Sequence, residues 1–195
     1  MICKKAPARM TRHYAVNHII AQAFTSAGVP VTKEPLKLHR NDGKRPDGLT
    51  LVPWKGGKAL TWDETIVTTL AASYLNASSA CAGSAAEALA LKKLDKYADF
   101  PADLLFQPIA LESLGPVSSS TSDFIAEIGR RITLISGDPR EESYLRPRIA
   151  VYLQRFNSVL LHQFFVDLQE CSHSRRLIVC MLIYKPSGIE YREQF

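Results

Sequence analysis

Two acids, Asp47 and Asp63, flank a turn at a spacing that could place them side by side. Asp47 closes the run Lys44-Arg45-Pro46-Asp47, and Asp63 sits in Thr61-Trp62-Asp63-Glu64. Between them, Pro53-Trp54-Lys55-Gly56-Gly57-Lys58 reads as a turn, bordered by Leu49-Thr50-Leu51-Val52 and by Trp62 to Val67. If that hairpin is symmetric about Lys55, residues whose numbers add to 110 face each other, and Asp47 opposes Asp63. Directly opposed side chains have Cβ atoms about 5 Å apart, where like charges destabilise a sheet. A Mg²⁺-class ion, held by one or two carboxylates together with substrate phosphate, would turn the repulsion into a binding site. A slip of one residue would put Glu64 on that face instead. The same pattern also fits a solvated turn with two surface acids.

A third chemical group comes from a later helix. Lys93, Lys96 and Tyr97 stand at i, i+3 and i+4, on one helical face. If that face overhangs the hairpin, an ammonium lies beside the ion and can stabilise a phosphorane-like transition state. A solvated face shared with Lys92 is the plainer reading. The five histidines show no ligand spacing, His13 and His18 being five apart. Ser118-Ser119-Ser120 lacks a Gly-x-Ser-x-Gly elbow and reads as a loop before a helix. Glu112 is either a support for the ion or DNA backbone, or a structural strand end. Trp54 and Trp62 are expected to pack at the hairpin, with base stacking as the alternative.

The elements that must carry these groups follow from periodicity. Val16, Ile19, Ile20, Ala23 and Phe24 predict a helix over residues 12–27, stopped at Gly28-Val29-Pro30. Val29 to Glu34 suits a short strand, Lys37 to Arg45 a basic loop, and residues 47–67 the hairpin. Ala71 to Ala85 reads as a connection. Ser84-Ala85-Ala86-Glu87 has the form of a capping box that starts a helix running to Tyr97. Leu104 to Leu111 predicts a buried strand. Ser118 to Ser122 opens a helix that runs toward Gly137, and Ile149 to Phe164 marks a final long helix. The order predicts an α/β layer architecture, a mixed sheet flanked by helices. The domain is expected over residues 9–167. A tail over 168–195 holds the apolar run Leu177 to Tyr184, which suits an added strand or foreign sequence.

Composition adds bounds. The chain has 195 residues, 46% of them hydrophobic, enough for one buried core. No apolar run approaches the ~18 residues of a membrane span. The basic start Met1-Ile2-Cys3-Lys4-Lys5 has no apolar stretch behind it, unlike a secretory signal. Four scattered cysteines, without Cys-x-x-Cys spacing, suggest reduced intracellular thiols. Residues 1–60 carry eleven Lys or Arg against three acids, the remainder thirteen against sixteen. The positive excess therefore leads into the hairpin, where it would attract nucleic-acid phosphates or simply solubilise the chain.

Taken together, Arg45-Pro46-Asp47, Trp62-Asp63, Lys93-x-x-Lys96-Tyr97 and Pro108 to Gly115 resemble the restriction-like endonuclease domain of site-specific non-LTR retrotransposons. That domain belongs to the PD-(D/E)XK nuclease superfamily. Lys33-Glu34-Pro35, Asp42 to Thr50 and Gln154-Arg155-Phe156-Asn157 are similar to versions found behind reverse transcriptases in invertebrate mobile elements. The resemblance spans about residues 9 to 165 and implies a PD-(D/E)XK fold. It also implies a Mg²⁺- or Mn²⁺-dependent nuclease that nicks target DNA to prime reverse transcription. Asp47 would be the first metal-binding acid and Asp63 the second. Thr65 stands where many members keep a lysine, a role implied for Lys93 or Lys96. Lys37, Arg40, Lys44, Arg45 and Tyr97 are the expected nucleic-acid contacts. Expected partners are target DNA, element RNA and a reverse-transcriptase polypeptide, with no membrane, inside the cell and in the nucleus.

Two departures stand out. Relatives commonly show Arg-His-Asp where this chain has Arg12-His13-Tyr14, and they place a small apolar residue where Glu64 stands. Glu64 is expected outward on the opposite strand face, or as a mark of decay. The chain holds no polymerase segment and reads as a domain or fragment of a longer polyprotein. A catalytically degenerate nucleic-acid-binding remnant is the alternative function.

Overall fold

In the computed structural model of the chain, residues 7–36, 38 and 45–173 are described, with five helices and four strands among them. Lys37, Arg40, Lys44 and the apolar run Leu177 to Tyr184 lie outside the described residues. The first helix, α1 (Pro7–Ser26), buries the expected stripe of Val16, Ile19, Ile20, Ala23 and Phe24. It ends where Val29 N–H bonds to Phe24 O at 2.9 Å. Strands β1 (Val31–Lys33), β2 (Gly48–Thr50) and β3 (Ala59–Val67) then form an antiparallel meander. Helices α2 (Ala72–Ala80) and α3 (Ser84–Lys96) carry the chain across to β4 (Leu104–Glu112), which lies parallel to β3. The sheet order is β1-β2-β3-β4. Pro108 falls in the edge strand β4, where a missing N–H is tolerated.

The sheet is covered on both faces. On one, Leu60 and Trp62 of β3 and Ile109 and Leu111 of β4 pack with α1, with Phe124, Ile125, Ile128 and Ile132 of α4 (Ser119–Ser136), and with Leu145 and Ile149 of α5 (Arg140–His173). On the other, Ala86 and Ala90 of α3 lie on Ala110. Alanines at that contact let α3 approach the strands closely, so a long side chain farther along the helix can reach β3. The compact units are Met1–Leu160 and Leu161–Phe195, a division within α5 that compares with the expected boundary after Asp167. Among the described residues no helix is long and apolar enough to cross a membrane.

Several expectations need correction. The strands of the hairpin keep the expected register about Lys55, but the tip itself is shifted: Gly56 and Gly57 take positive φ values of 58° and 75° between the bridged pair Lys55 and Lys58. Two glycines supply the left-handed backbone that a tight hairpin needs. The strand ends at Thr50, not Val52, because the Thr50 hydroxyl bonds to Val52 O and accepts from Leu60 N–H, locally replacing the backbone ladder. The Ala71–Ala85 connection contains α2, a helix with no buried residue, so its sequence lacks the apolar stripe that would announce it. The capping box is not formed. Gly83 is the N-cap of α3, Ser84 is already helical, and Glu87 instead accepts from Ser119 N–H and its hydroxyl. Ser118 caps α4, accepting from Thr121 N–H at 3.3 Å, as befits a loop residue before a helix.

Candidate active site

The geometry begins with Trp62. Its indole is wholly buried and stacks on Phe24 at 4.8 Å between centroids. Its Nε1–H donates to Asn17 Oδ1 of α1 at 2.9 Å, and Asn17 Nδ2 donates to Asp47 O at 3.2 Å. The ring also lies on Gly48: a Cβ there would sit 2.0 Å from Trp62 Cζ2. Only glycine fits opposite this tryptophan, and the contact fixes the register Gly48↔Trp62 and Leu49↔Thr61. That is the register in which opposed numbers add to 110. Asp47 N–H continues the ladder to Trp62 O at 2.9 Å, so Asp47 and Asp63 share the sheet face that α3 covers. Trp54, the other hairpin tryptophan, packs against Phe24 and Phe124, with the Arg131 guanidinium 3.5 Å from its ring centre.

The two carboxyls lie close enough to shift each other's titration. Asp47 Oδ2 also accepts from Glu64 N–H and faces His13 Nε2 at 3.3 Å. Lys93 reaches from α3 to Asp63 Oδ2 in a direct ion pair. Burial drives Asp63 upward to about 6; Lys93 opposes this, and Asp47 adds to it. Burial acts the same way on Asp47, but hydrogen bonding and charge from His13 outweigh it, and its carboxyl titrates below the usual range. Of the two acids, Asp63 is therefore the one that takes up a proton first, below about pH 6. His13, which burial alone would push down, is raised to about 9 by Asp47 and by the charges of Glu64 and Asp63.

Glu64 is not outward. It lies on the face toward α1, is 2% exposed, and neither carboxyl oxygen has a hydrogen-bond partner. Burial raises its pKa well above the ordinary value, opposed first by His13. Arg12, the neighbour of His13 on α1, donates from Nη1 to Asn157 Oδ1 at 2.7 Å, and Asn157 in turn bonds to Ser113 O at 2.6 Å.

The expected site residues thus divide. Asp47, Asp63 and Lys93 converge from the residue just before β2, from β3 and from α3. Lys96 is exposed at the end of α3. Tyr97 is 3% exposed and stacks on Phe106 at 4.0 Å, which makes it a packing residue and not a surface contact for nucleic acid. Arg45 pairs with Glu34 at 3.6 Å on the surface. Glu112 is 1% exposed and accepts from Ala85 N–H at 3.0 Å in the first turn of α3, the structural role of the two expected for it. His13 and Asn17 were not expected. Asn17 could have been suspected as a polar residue inside the apolar stripe of α1. His13 stands in the Arg12-His13-Tyr14 run compared with the relatives' Arg-His-Asp, but its approach to Asp47 appears only in the folded chain.

Among the described residues no group of three or more His, Cys, Asp or Glu side chains is arranged to hold a metal ion. The chain itself offers two carboxylates, whose outer oxygens already have protein donors. This is a sparse donor set that fits Mg²⁺ or Mn²⁺, ions that keep waters and take substrate phosphate oxygens, better than Zn²⁺. No protein-family model and no curated protein matches this chain.

Proposed function

We propose that the chain is a divalent-metal-dependent nuclease that hydrolyses phosphodiester bonds in DNA, with a PD-(D/E)XK fold of the kind carried by non-LTR retrotransposons. The observation that carries this reading is the meeting of Asp47, Asp63 and the Lys93 ammonium from three elements. An acid pair beside a lysine is the equipment that phosphodiester hydrolysis needs. A mixed sheet with helices on both faces agrees with the fold that the resemblance implies. An ion between Asp47 and Asp63 would supply Lewis acidity and lower the pKa of a bound water.

The residues of the chain do the rest. Asp47 is held from behind by Glu64 N–H and His13, so its orientation is fixed before any ligand arrives. Asp63 keeps its proton up to about pH 6 and then adds a second negative charge to the pair. Lys93 neutralises Asp63 in the free protein. Were Asp47 and Asp63 to hold an ion, the Lys93 ammonium would be available to stabilise the charge that develops on the phosphate as water adds to phosphorus. As the new P–O bond forms, the bond to the leaving strand breaks; the attacking water gives a proton to solvent and the leaving oxygen takes one from solvent, which leaves a hydroxyl able to serve as a primer end.

Supercoiled plasmid incubated with Mg²⁺ or Mn²⁺ tests the reading. Nicking is expected, and Asp47→Asn and Asp63→Asn should each lower it by a factor on the order of 10² or more. Salt-dependent binding without cleavage, unaffected by either substitution, would instead identify a nucleic-acid-binding remnant.

A further inference from the structure

The rim of the site carries a feature that phosphate chemistry does not use. Tyr14 follows His13 on α1, and the two rings meet edge to face with centroids 6.0 Å apart. Although it adjoins the side chain that touches Asp47, Tyr14 is 51% exposed, and Met10, one turn before it on the same helix, is 56% exposed. An aromatic ring and a thioether side by side in solvent are at odds with α1's other flank, which buries its apolar residues almost completely. No acid occurs anywhere in Pro7–Ser26, so α1 itself adds no negative charge beside Tyr14. His13 and Lys93 supply positive charge within the site it borders.

We propose that Tyr14, with Met10 beside it, is a stacking platform for an unpaired base next to the scissile phosphate. The substrate is then a strand that is single-stranded or locally opened at the cleavage point. This rests on the nuclease reading for the position of the phosphate. Stacking is indifferent to base identity, because every base presents a π-face. The phenol gives a large flat contact with little conformational freedom to lose. A base partner is favoured over a second copy of the chain because α1 carries no acid over Pro7–Ser26 and Tyr14 adjoins His13, the side chain that faces Asp47.

Fluorescence anisotropy in EDTA measures this without cleavage, using a short labelled single-stranded oligonucleotide and the same sequence fully paired. Tyr14→Ala is expected to weaken binding of the single strand about tenfold, while Tyr14→Phe binds as wild type. The duplex should change by less than about twofold, since its bases are already stacked. Tyr14 is exposed, so the Ala variant should melt as the wild type does. Unchanged single-strand affinity in Tyr14→Ala, or equal loss for both nucleic acids, overturns the proposal. So does a wild-type chain that ignores the single strand, or one whose Tyr14 serves a dimer seen in sedimentation. If plasmid nicking is absent but the Tyr14 dependence holds, the catalytic reading fails and the platform stands.

Discussion

Two buried acids put a carboxyl to different uses: Glu112 at the end of β4 and Glu64 in the middle of β3. Both are at most 2% exposed. Glu112 spends its charge on the N-terminus of α3, where Ala85 N–H and the helix dipole receive it. Glu64 has no hydrogen-bond partner for either oxygen and lies next to two further carboxyls, Asp47 and Asp63. The end of β4 therefore uses a carboxylate to build the fold, and the middle of β3 with Asp47 crowds three where each destabilises its neighbours. Structure alone explains the first arrangement. The second stores unfavourable electrostatics that a cation would relieve, which is a mark of a functional site.

The contrast can be tested from several sides. The largest effect is expected at Lys93: Lys93→Met should lower cleavage on the order of 10²-fold, whereas Lys96→Met should stay within about threefold. Comparable losses from both would mean that the ion pair with Asp63 is incidental. Next in size is the structural acid. Glu112→Ala should remove ~2 kcal/mol of stability by leaving the buried Ala85 N–H unsatisfied, and denaturant titration would read it. Ion affinity should be little changed, and a loss of ion binding without loss of stability would erase the distinction between the two regions.

Asp63 and Glu64 should behave in the opposite sense. Asp63 has a folded pKa of about 6, above the 3.8 of the unfolded chain. Its contribution to stability is therefore full below pH 3.8 and is lost as pH rises through about 6. Asp63→Asn should consequently raise the melting temperature at pH 7.5, by an amount worth at most ~3 kcal/mol, and the gain should disappear near pH 4. Glu64→Gln should show a smaller gain of the same sign, about 1 kcal/mol, because it removes a buried charge but leaves a buried amide unsatisfied. Destabilisation by either change at pH 7.5 would place these acids in the same class as Glu112.

Much of this frame was legible in the residues. The stripe of α1, the Gly-Gly turn and the alternation through Trp62 announce their elements, and the spacing about that turn sets Asp47 against Asp63. What escaped is what depends on distant partners. α2 hides because a surface helix of Ala and Ser has no stripe to read. Lys93 and Lys96 differ by a rotation around α3 that only its alanine contact with β4 decides. Glu87 looked like a cap for its own helix and serves another. The burial of Glu64 follows from α1 closing over β3, and the use of His13 follows from the same packing. Tyr97 shows the reverse error, a residue assigned to the surface that an aromatic cluster with Phe100 and Phe106 draws inside.

The central claim is that Asp47 and Asp63 jointly hold one divalent ion, and Mn²⁺ titration followed by electron paramagnetic resonance tests it most directly. At pH 7.5 the wild-type chain should bind one Mn²⁺, with affinity falling below about pH 6 as Asp63 retains its proton. Asp47→Asn and Asp63→Asn should each abolish that binding while keeping the fold. A wild-type chain that binds no Mn²⁺, or variants that bind it as tightly as the wild type, would contradict the account.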